Sequence, residues 1–490
     1  MRRLTPGFAA LLAGCMVGPS YRAPAPVPAH AALGVPRMAD STRAFFESLA
    51  VARARDSVAA AAAPLTQRLL VQDSLAGVAW LDILRDTTLV GLVNTALRQN
   101  RDVQTAIARI REYRADAGVA RAPLFPTVTA NGSMSSNQVA LGFIPPVTYH
   151  ASRVTGDVSW ELDFWGRLRH GLDAANADAA AQVAAERGTV LSLVSDVATA
   201  YLQLLELDQE HAIAKQTLAS RQATLAIARE RYRQGLISEL DVKQFEAQVA
   251  APAVTLAQTE RERAQTEHAL DVLLGEGPAS IPRGGTLAGA VKALAVPDSV
   301  PAALLSRRPD IQQAERQYAA ATARLGVADA ARLPTVMLTG SYGSQSAKPE
   351  RLFNTNTRIY QLQAGISFPL FDAGRLADQS AAARARVEQA RLQYEQTALS
   401  ALRDANDALV AVRTSRDQEA AQATQVQALR DALALAQLRY ESGLASYLDL
   451  LDAQRSLFSA QIALSQAQLQ QLTAAVQLYK ALGGGWPAAK

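Results

Sequence analysis

The feature that most constrains this chain is that it is written twice. Gly118-Val119-Ala120 returns 208 positions later as Gly326-Val327-Ala328, Pro126-Thr127-Val128 as Pro334-Thr335-Val336, and Gly166-Arg167-Leu168 as Gly374-Arg375-Leu376. Tyr232, Gly235, Leu236, Ser238, Leu240 and Asp241 come back as Tyr440, Gly443, Leu444, Ser446, Leu448 and Asp449, and Leu274-Gly275 as Leu482-Gly483. Glycine and proline landmarks kept in one register, with no net insertion, mean that a single structural unit has been duplicated. The expected layout is a signal peptide at 1–14, an extended arm and linker at 15–79, a first repeat at 80–275, a connector at 276–300, a second repeat at 301–483 and a C-terminal segment at 484–490.

Each repeat reads as helix, strand pair, very long helix, tight turn and returning helix. No proline interrupts the runs from Gly166 to Gly235 and from Gly374 to Gly443. At 1.5 Å per residue each is a helix of about 100 Å, which must bury its apolar stripe along a partner. Gly235 and Gly443 are expected to end the outgoing helices, and Ser238 and Ser446 to cap the returning ones, with Asp241 and Asp449 in their first turns. Pro252 stands where the second copy has Ala460, and is expected to bend or open its helix. A further helix is expected at Phe46 to Ala63. Composition agrees: 49% of residues are apolar but only 6% aromatic, which suits long alanine-rich helices and excludes aromatic sandwich cores.

The strands carry a different period. Val154, Gly156, Val158, Trp160 and Leu162 alternate with Thr155, Asp157, Ser159 and Glu161, and the segment from Leu362 to Leu370 alternates likewise. With strands expected at Thr127 to Asn137 and Thr335 to Gln345, each repeat has two segments near the 9 to 11 residues that a tilted strand needs to cross a bilayer. No run of 18 apolar residues exists, so strands rather than a helix must do any spanning. Four strands cannot close a barrel, and open edges are not tolerated in lipid, so the chain must oligomerise. Two copies give eight strands and a filled interior; three give twelve and room for a lumen.

Cys15 is the single cysteine, so it has no partner for an internal disulfide. It follows Arg2, Arg3 and a short apolar run, and Leu12-Ala13-Gly14-Cys15 resembles a bacterial lipobox, which would make Cys15 the lipidated first residue of the mature chain. Met16 after it points to outer-membrane lipid rather than inner-membrane retention. The 49 Lys and Arg and 45 Asp and Glu are interspersed, so no nucleic-acid surface is expected. Five scattered histidines give no metal cage, and no phosphate loop or nucleophile elbow appears, so neither a cofactor nor an enzymatic activity is expected.

Several motifs together resemble the TolC-type outer-membrane efflux family, in its lipoprotein branch serving resistance-nodulation-division (RND) pumps. They are Cys15-Met16-Val17-Gly18-Pro19, Trp160-Glu161-Leu162-Asp163 with Gly166-Arg167, Arg307-Arg308-Pro309-Asp310-Ile311, Phe368-Pro369-Leu370-Phe371-Asp372, Leu450 to Arg455, and Tyr479 to Trp486. The resemblance implies a mainly α protomer with membrane β-strands, forming a homotrimer with a twelve-stranded β-barrel and a twelve-helix periplasmic α-barrel. It implies a passive small-molecule duct, working with a periplasmic adaptor (membrane fusion) protein and an inner-membrane RND pump. It further implies a mixed equatorial region containing Ile281 to Val300, a periplasmic aperture at Leu448, Asp449, Asp452 and Arg455, and adaptor contacts at the tips, Gly235, Leu236, Ser238, Asp241, Gly443, Leu444 and Ser446. By position alone, Asp452 and Arg455 are a solvated pair one turn apart. Ala445 stands where some members carry an arginine that latches to the position of Asp241. The rival expectations are a protein-secretion duct of the same family and a periplasmic coiled-coil lipoprotein.

Overall fold

The computed structural model describes residues 17–19, 21, 86–140, 142, 145–293, 307–442, 444 and 446–484. The signal peptide, Cys15, most of the arm including Phe46 to Ala63, and Gly443 lie outside the described residues. The described elements in chain order are α1 (Thr87–Gln99), α2 (Arg101–Arg121), β1 (Thr127–Val139), β2 (Val147–Leu162), α3 (Arg167–Arg233) and α4 (Glu239–Leu274). They continue with α5 (Leu287–Ala293), α6 (Pro309–Ala330), β3 (Thr335–Ser346), β4 (Arg358–Ser367), α7 (Arg375–Glu441) and α8 (Tyr447–Ala481). The long helices α3 and α7 are both 67 residues and start and stop 208 positions apart, as do the starts of β1 and β3 and of α4 and α8.

The chain forms two compact units, and neither is one repeat. One comprises residues 1–26, 108–184 and 312–396; the other comprises 27–107, 185–311 and 397–490. Each unit therefore draws on both copies.

The first unit holds the sheet, an antiparallel meander in the order β1-β2-β3-β4. Gly343 lets β3 lie close to β2: a Cβ there would fall 2.0 Å from the Val154 carbonyl oxygen and 2.7 Å from the Thr155 Cα. Ala174, Ala181, Ala320, Ala330 and Ala383 are buried on the helices of this unit, so their buried faces are lined with small side chains. Two expectations shift here. β2 begins seven residues before Val154, and β4 ends at Ser367, before Pro369, whose missing N–H cannot extend a ladder; Phe368 and Leu370 lie beyond the strand.

The motifs between sheet and helix are caps. Asp163 accepts from the backbone N–H groups of Leu168 (3.2 Å) and Arg169 (2.9 Å), so it satisfies two of the orphan donors at the start of α3. Asp372 accepts from Leu376 N–H at 3.0 Å at the start of α7. Arg167 binds Glu161 bidentately, at 3.1 and 2.6 Å, and Trp160 donates its ring N–H to the Leu124 carbonyl.

In the second unit α1, α3, α4, α5 and α8 meet around one core of Leu89, Val93, Val197, Tyr201, Leu202, Leu270, Leu287, Leu472 and Val476. Ile281 joins it, and Tyr201 ties it together by donating to Asp86 (2.8 Å) and accepting from Gly284 N–H (2.9 Å). The sequence reading excluded a helix fit to cross a membrane, yet by length and composition α3 contains such a stretch. Its apolar residues, from Leu193 to Leu207, are buried in this core, so it is the centre of a helical packing and not a lipid-facing span. α4 runs unbroken through Pro252, which is buried, so the proline does not end the helix.

Candidate duct wall and helix tips

The register of the sheet sorts its side chains onto two chemically different faces. Val128, Val158, Gly340 and Leu362 lie across from one another in adjacent strands, as do Ala130, Gly156, Tyr342 and Tyr360. Since side chains alternate with period two, Met134, Val154, Trp160, Leu338, Ala364 and Ile366 share that face. The opposite face carries Thr129, Asp157, Ser341 and Gln361 in register, with Asn131, Ser133, Arg153, Gln345 and Gln363 beside them. On it Asp157 accepts from Asn131 (2.6 Å) and Thr155 (3.1 Å).

The apolar face is bare in the protomer: Tyr360, Leu362 and Ile366 are 85%, 77% and 76% exposed. In water such a patch is unfavourable at about 25 cal/mol per Å2, whereas in lipid it is what a spanning strand requires. With 13, 16, 12 and 10 residues, all four strands are long enough to span. Among the described residues the outer edges of β1 and β4 have no ladder partner. Those rows of unpaired N–H and C=O groups must be satisfied by further strands before this sheet can sit in a bilayer.

The tips of the two hairpins, α3–α4 and α7–α8, are built alike. Gly235 takes φ +74°, the left-handed conformation a C-cap requires, and Leu236 N–H reaches back to the Arg231 carbonyl at 2.9 Å. Leu444 N–H makes the equivalent bond to Arg439 at 2.8 Å. Ser238 and Asp241 form a capping box at the start of α4, and Ser446 and Asp449 form the same box at the start of α8. The Asp449 carboxylate accepts from Ser446 N–H at 3.1 Å, so it is held by its own turn. Leu236, Leu444 and Leu448 are exposed, as are Gly235, Ser238 and Ser446, and Asp241 is half-buried. Asp452 and Arg455 pair at 2.9 Å one turn apart on α8, both about two-thirds exposed. Within the protomer this pair is a solvated contact.

The sequence reading missed what joins the two hairpins near the tips. Phe245 of α4 and Tyr447 of α8 meet with their rings tilted by 40° and centroids 3.8 Å apart, over Leu225, Ala228 and Val242. Arg221 of α3 is buried, donates to the Gln248 carbonyl at 2.8 Å, and lies 5.3 Å from the Phe458 ring centroid on α8. Burial pushes the Tyr447 phenol above its ordinary pKa, and Tyr440 and Asp241 nearby push it the same way. Nothing local announced Arg221, one arginine among many in a helical run.

A family model described as outer membrane efflux protein matches residues 92–276 and again 300–484, covering both repeats at the same offset of 208. This chain belongs to the outer membrane efflux protein family. It is 38% identical over 423 residues to the solvent efflux pump outer membrane protein SrpC of Pseudomonas putida, covering 83% of this chain and 87% of that one. It is 36% identical over 412 residues to the probable efflux pump outer membrane protein TtgC of the same species, covering 83% and 85%. The crystal structure of the transmembrane channel CusC superposes with a TM-score of 0.81 at 27% identity, over 96% of this chain and all of that one. Its fold is accordingly that of a TolC-type outer-membrane channel, and this efflux family is one of ducts rather than enzymes. The bare apolar face and open sheet edges are the features of an outer-membrane efflux protomer seen outside its assembly.

Proposed function

We propose that three copies join β4 of one to β1 of the next, closing a twelve-stranded barrel in the outer membrane, while their hairpins close a twelve-helix barrel in the periplasm. The duct so formed is the passive exit of a tripartite pump, carrying small molecules delivered by an inner-membrane RND pump through a periplasmic adaptor. The single observation that carries this reading is the four-stranded sheet with two edges unpaired among the described residues and one bare apolar face. The naming of SrpC as a solvent efflux protein supports apolar small molecules as cargo.

The exposed leucines Leu236, on the turn fixed by Gly235, and Leu444 suit an adaptor hairpin, with Gly443 part of the same contact. Ser238, Asp241 and Ser446 hold the shape of that surface. In a three-fold assembly Leu448, Asp449, Asp452 and Arg455 recur as rings around the axis, and Arg455 is available to hold the aperture shut across a subunit boundary. Cys15 carries the lipid anchor, and more than one acyl chain makes such anchoring stable. Reconstituting the purified chain in planar bilayers tests the reading: discrete channel openings are expected, and material that inserts without conducting refutes it.

A further inference from the structure

Glu206 and Glu210 lie one turn apart on α3 and are almost wholly buried, at 4% and 8% exposed. Among the described residues neither forms an ion pair with a lysine or arginine. The Glu210 carboxylate accepts from the Gln466 side chain of α8 at 3.1 Å. One Glu206 carboxylate oxygen is buried with no hydrogen-bond partner, and so is the hydroxyl of Ser465, which is fully buried and turned toward Glu206 from α8. From α4 a third carboxylate, Glu262, adds its charge, and farther along Gln468 of α8 donates to Glu419 of α7 at 3.4 Å. Glu262 is 48% exposed and pairs with Arg261 at 3.7 Å, so among the described residues no cation pairs with the two buried carboxylates themselves.

Two ionised carboxylates one turn apart cannot share so dry a site without a large electrostatic penalty. A proton removes it, because a protonated Glu206 carboxyl donates to Glu210, whereas two carboxylates facing each other can only accept. No metal site competes, since no group of three His, Cys, Asp or Glu side chains is placed for one among the described residues.

We propose that Glu206 and Glu210 form a proton-binding site: they share one proton, held together with Ser465 and Gln466, that keeps α3 packed on α8 and whose loss at alkaline pH loosens the protomer's two hairpins from each other. Burial, then the hydrogen bond to and charge of Glu210, push the Glu206 carboxyl from its ordinary 4.5 up to about 8, with Ser465 opposing. Below 4.5 both folded and unfolded chains hold the proton and the site costs nothing. Between 4.5 and about 8 only the folded chain holds it, so stability falls as pH rises, and above about 8 the penalty is constant.

Infrared spectroscopy of the purified full chain in detergent, from pH 5 to pH 9, tests the site. A protonated-carboxyl stretch is expected near full strength at pH 6 and reduced to about a tenth at pH 9, from a midpoint two units above the first pH and one below the second. It should vanish in Glu206→Gln, whose melting temperature should also lose the decline with pH seen in the native chain. Glu210→Gln serves if that variant fails to fold: with a neutral neighbour, the midpoint of Glu206 should drop by a unit or more. The absence of any titrating carboxyl band in the native chain, or a band unmoved by the variants, overturns the assignment. The infrared result does not depend on the channel reading.

Discussion

Arg308, in the Arg-Arg-Pro-Asp-Ile motif, holds the end of the second repeat, and removing it has a consequence that can be worked out. Its guanidinium donates to the Ala481 carbonyl at 2.8 Å, where α8 ends, to Asp310 at 3.1 and 2.7 Å, and to Asp404 on α7 at 3.2 Å. The arginine side chain is 10% exposed, but Asp310 and Asp404 are 46% and 36% exposed, so solvent screens those pairs to about 0.5 kcal/mol each. The bond to the buried Ala481 carbonyl, made by a charged donor, contributes about 2 kcal/mol. Arg308→Leu should therefore cost about 3 kcal/mol locally, which is a hundredfold or more in the opening equilibrium of the α8 terminus. Hydrogen exchange of the purified full chain reads this out at the amides of 478–484. Arg308→Lys should recover only part of the protection, since an ammonium lacks the fork that reaches the carbonyl and Asp310 together. The amides at the start of α8 should not change. Exchange at 478–484 in Arg308→Leu within threefold of the native rate would refute this reasoning.

Other consequences follow from the wall and the tips. Leu362→Arg, on the apolar face, should cost about 2 to 4 kcal/mol in the membrane and deplete assembled protein in outer-membrane fractions, whereas Gln361→Arg, on the other face, should be tolerated. Asp452→Ala with Arg455→Ala should raise single-channel conductance in planar bilayers; an unchanged conductance removes these residues from the aperture. Ser446→Ala should destabilise the start of α8 by about 1 kcal/mol, seen as faster amide exchange at Leu448 to Leu450. Gly343→Val forces a side chain into the backbone of β2 and should abolish assembled barrel without altering the helical circular-dichroism signal.

Much of the fold was legible because its signals are local and repeated. Glycine and proline fix turns wherever they stand, so Gly235, Ser238 and Ser446 marked both tips, and the uninterrupted runs marked α3 and α7 to their ends. The period-two face of β2 was legible, and the weaker strands were placed from their first residues Thr127 and Thr335, but β1 has Met134 and Val128 among small polar residues, and only its register against β2 shows which face they join. What pairs across hundreds of residues carried no local sign. Arg221 with Phe458, Glu206 with Ser465, and Arg308 with Ala481 look in sequence like ordinary polar residues of helices and turns. Their roles come from burial, which depends on which helix lies opposite. The capping role of Asp163 and Asp372 was hidden for another reason: each stands before the glycine, Gly166 or Gly374, at the ordinary N-cap position, and reaches over it to the first helical N–H groups.

Native mass spectrometry of detergent-purified protein, paired with conductance of the same preparation, tests most directly that the open sheet is completed by identical neighbours. A single conducting species with the mass of three chains is the expected result. A monomer that stays soluble without detergent, or a conducting species of two chains, contradicts it.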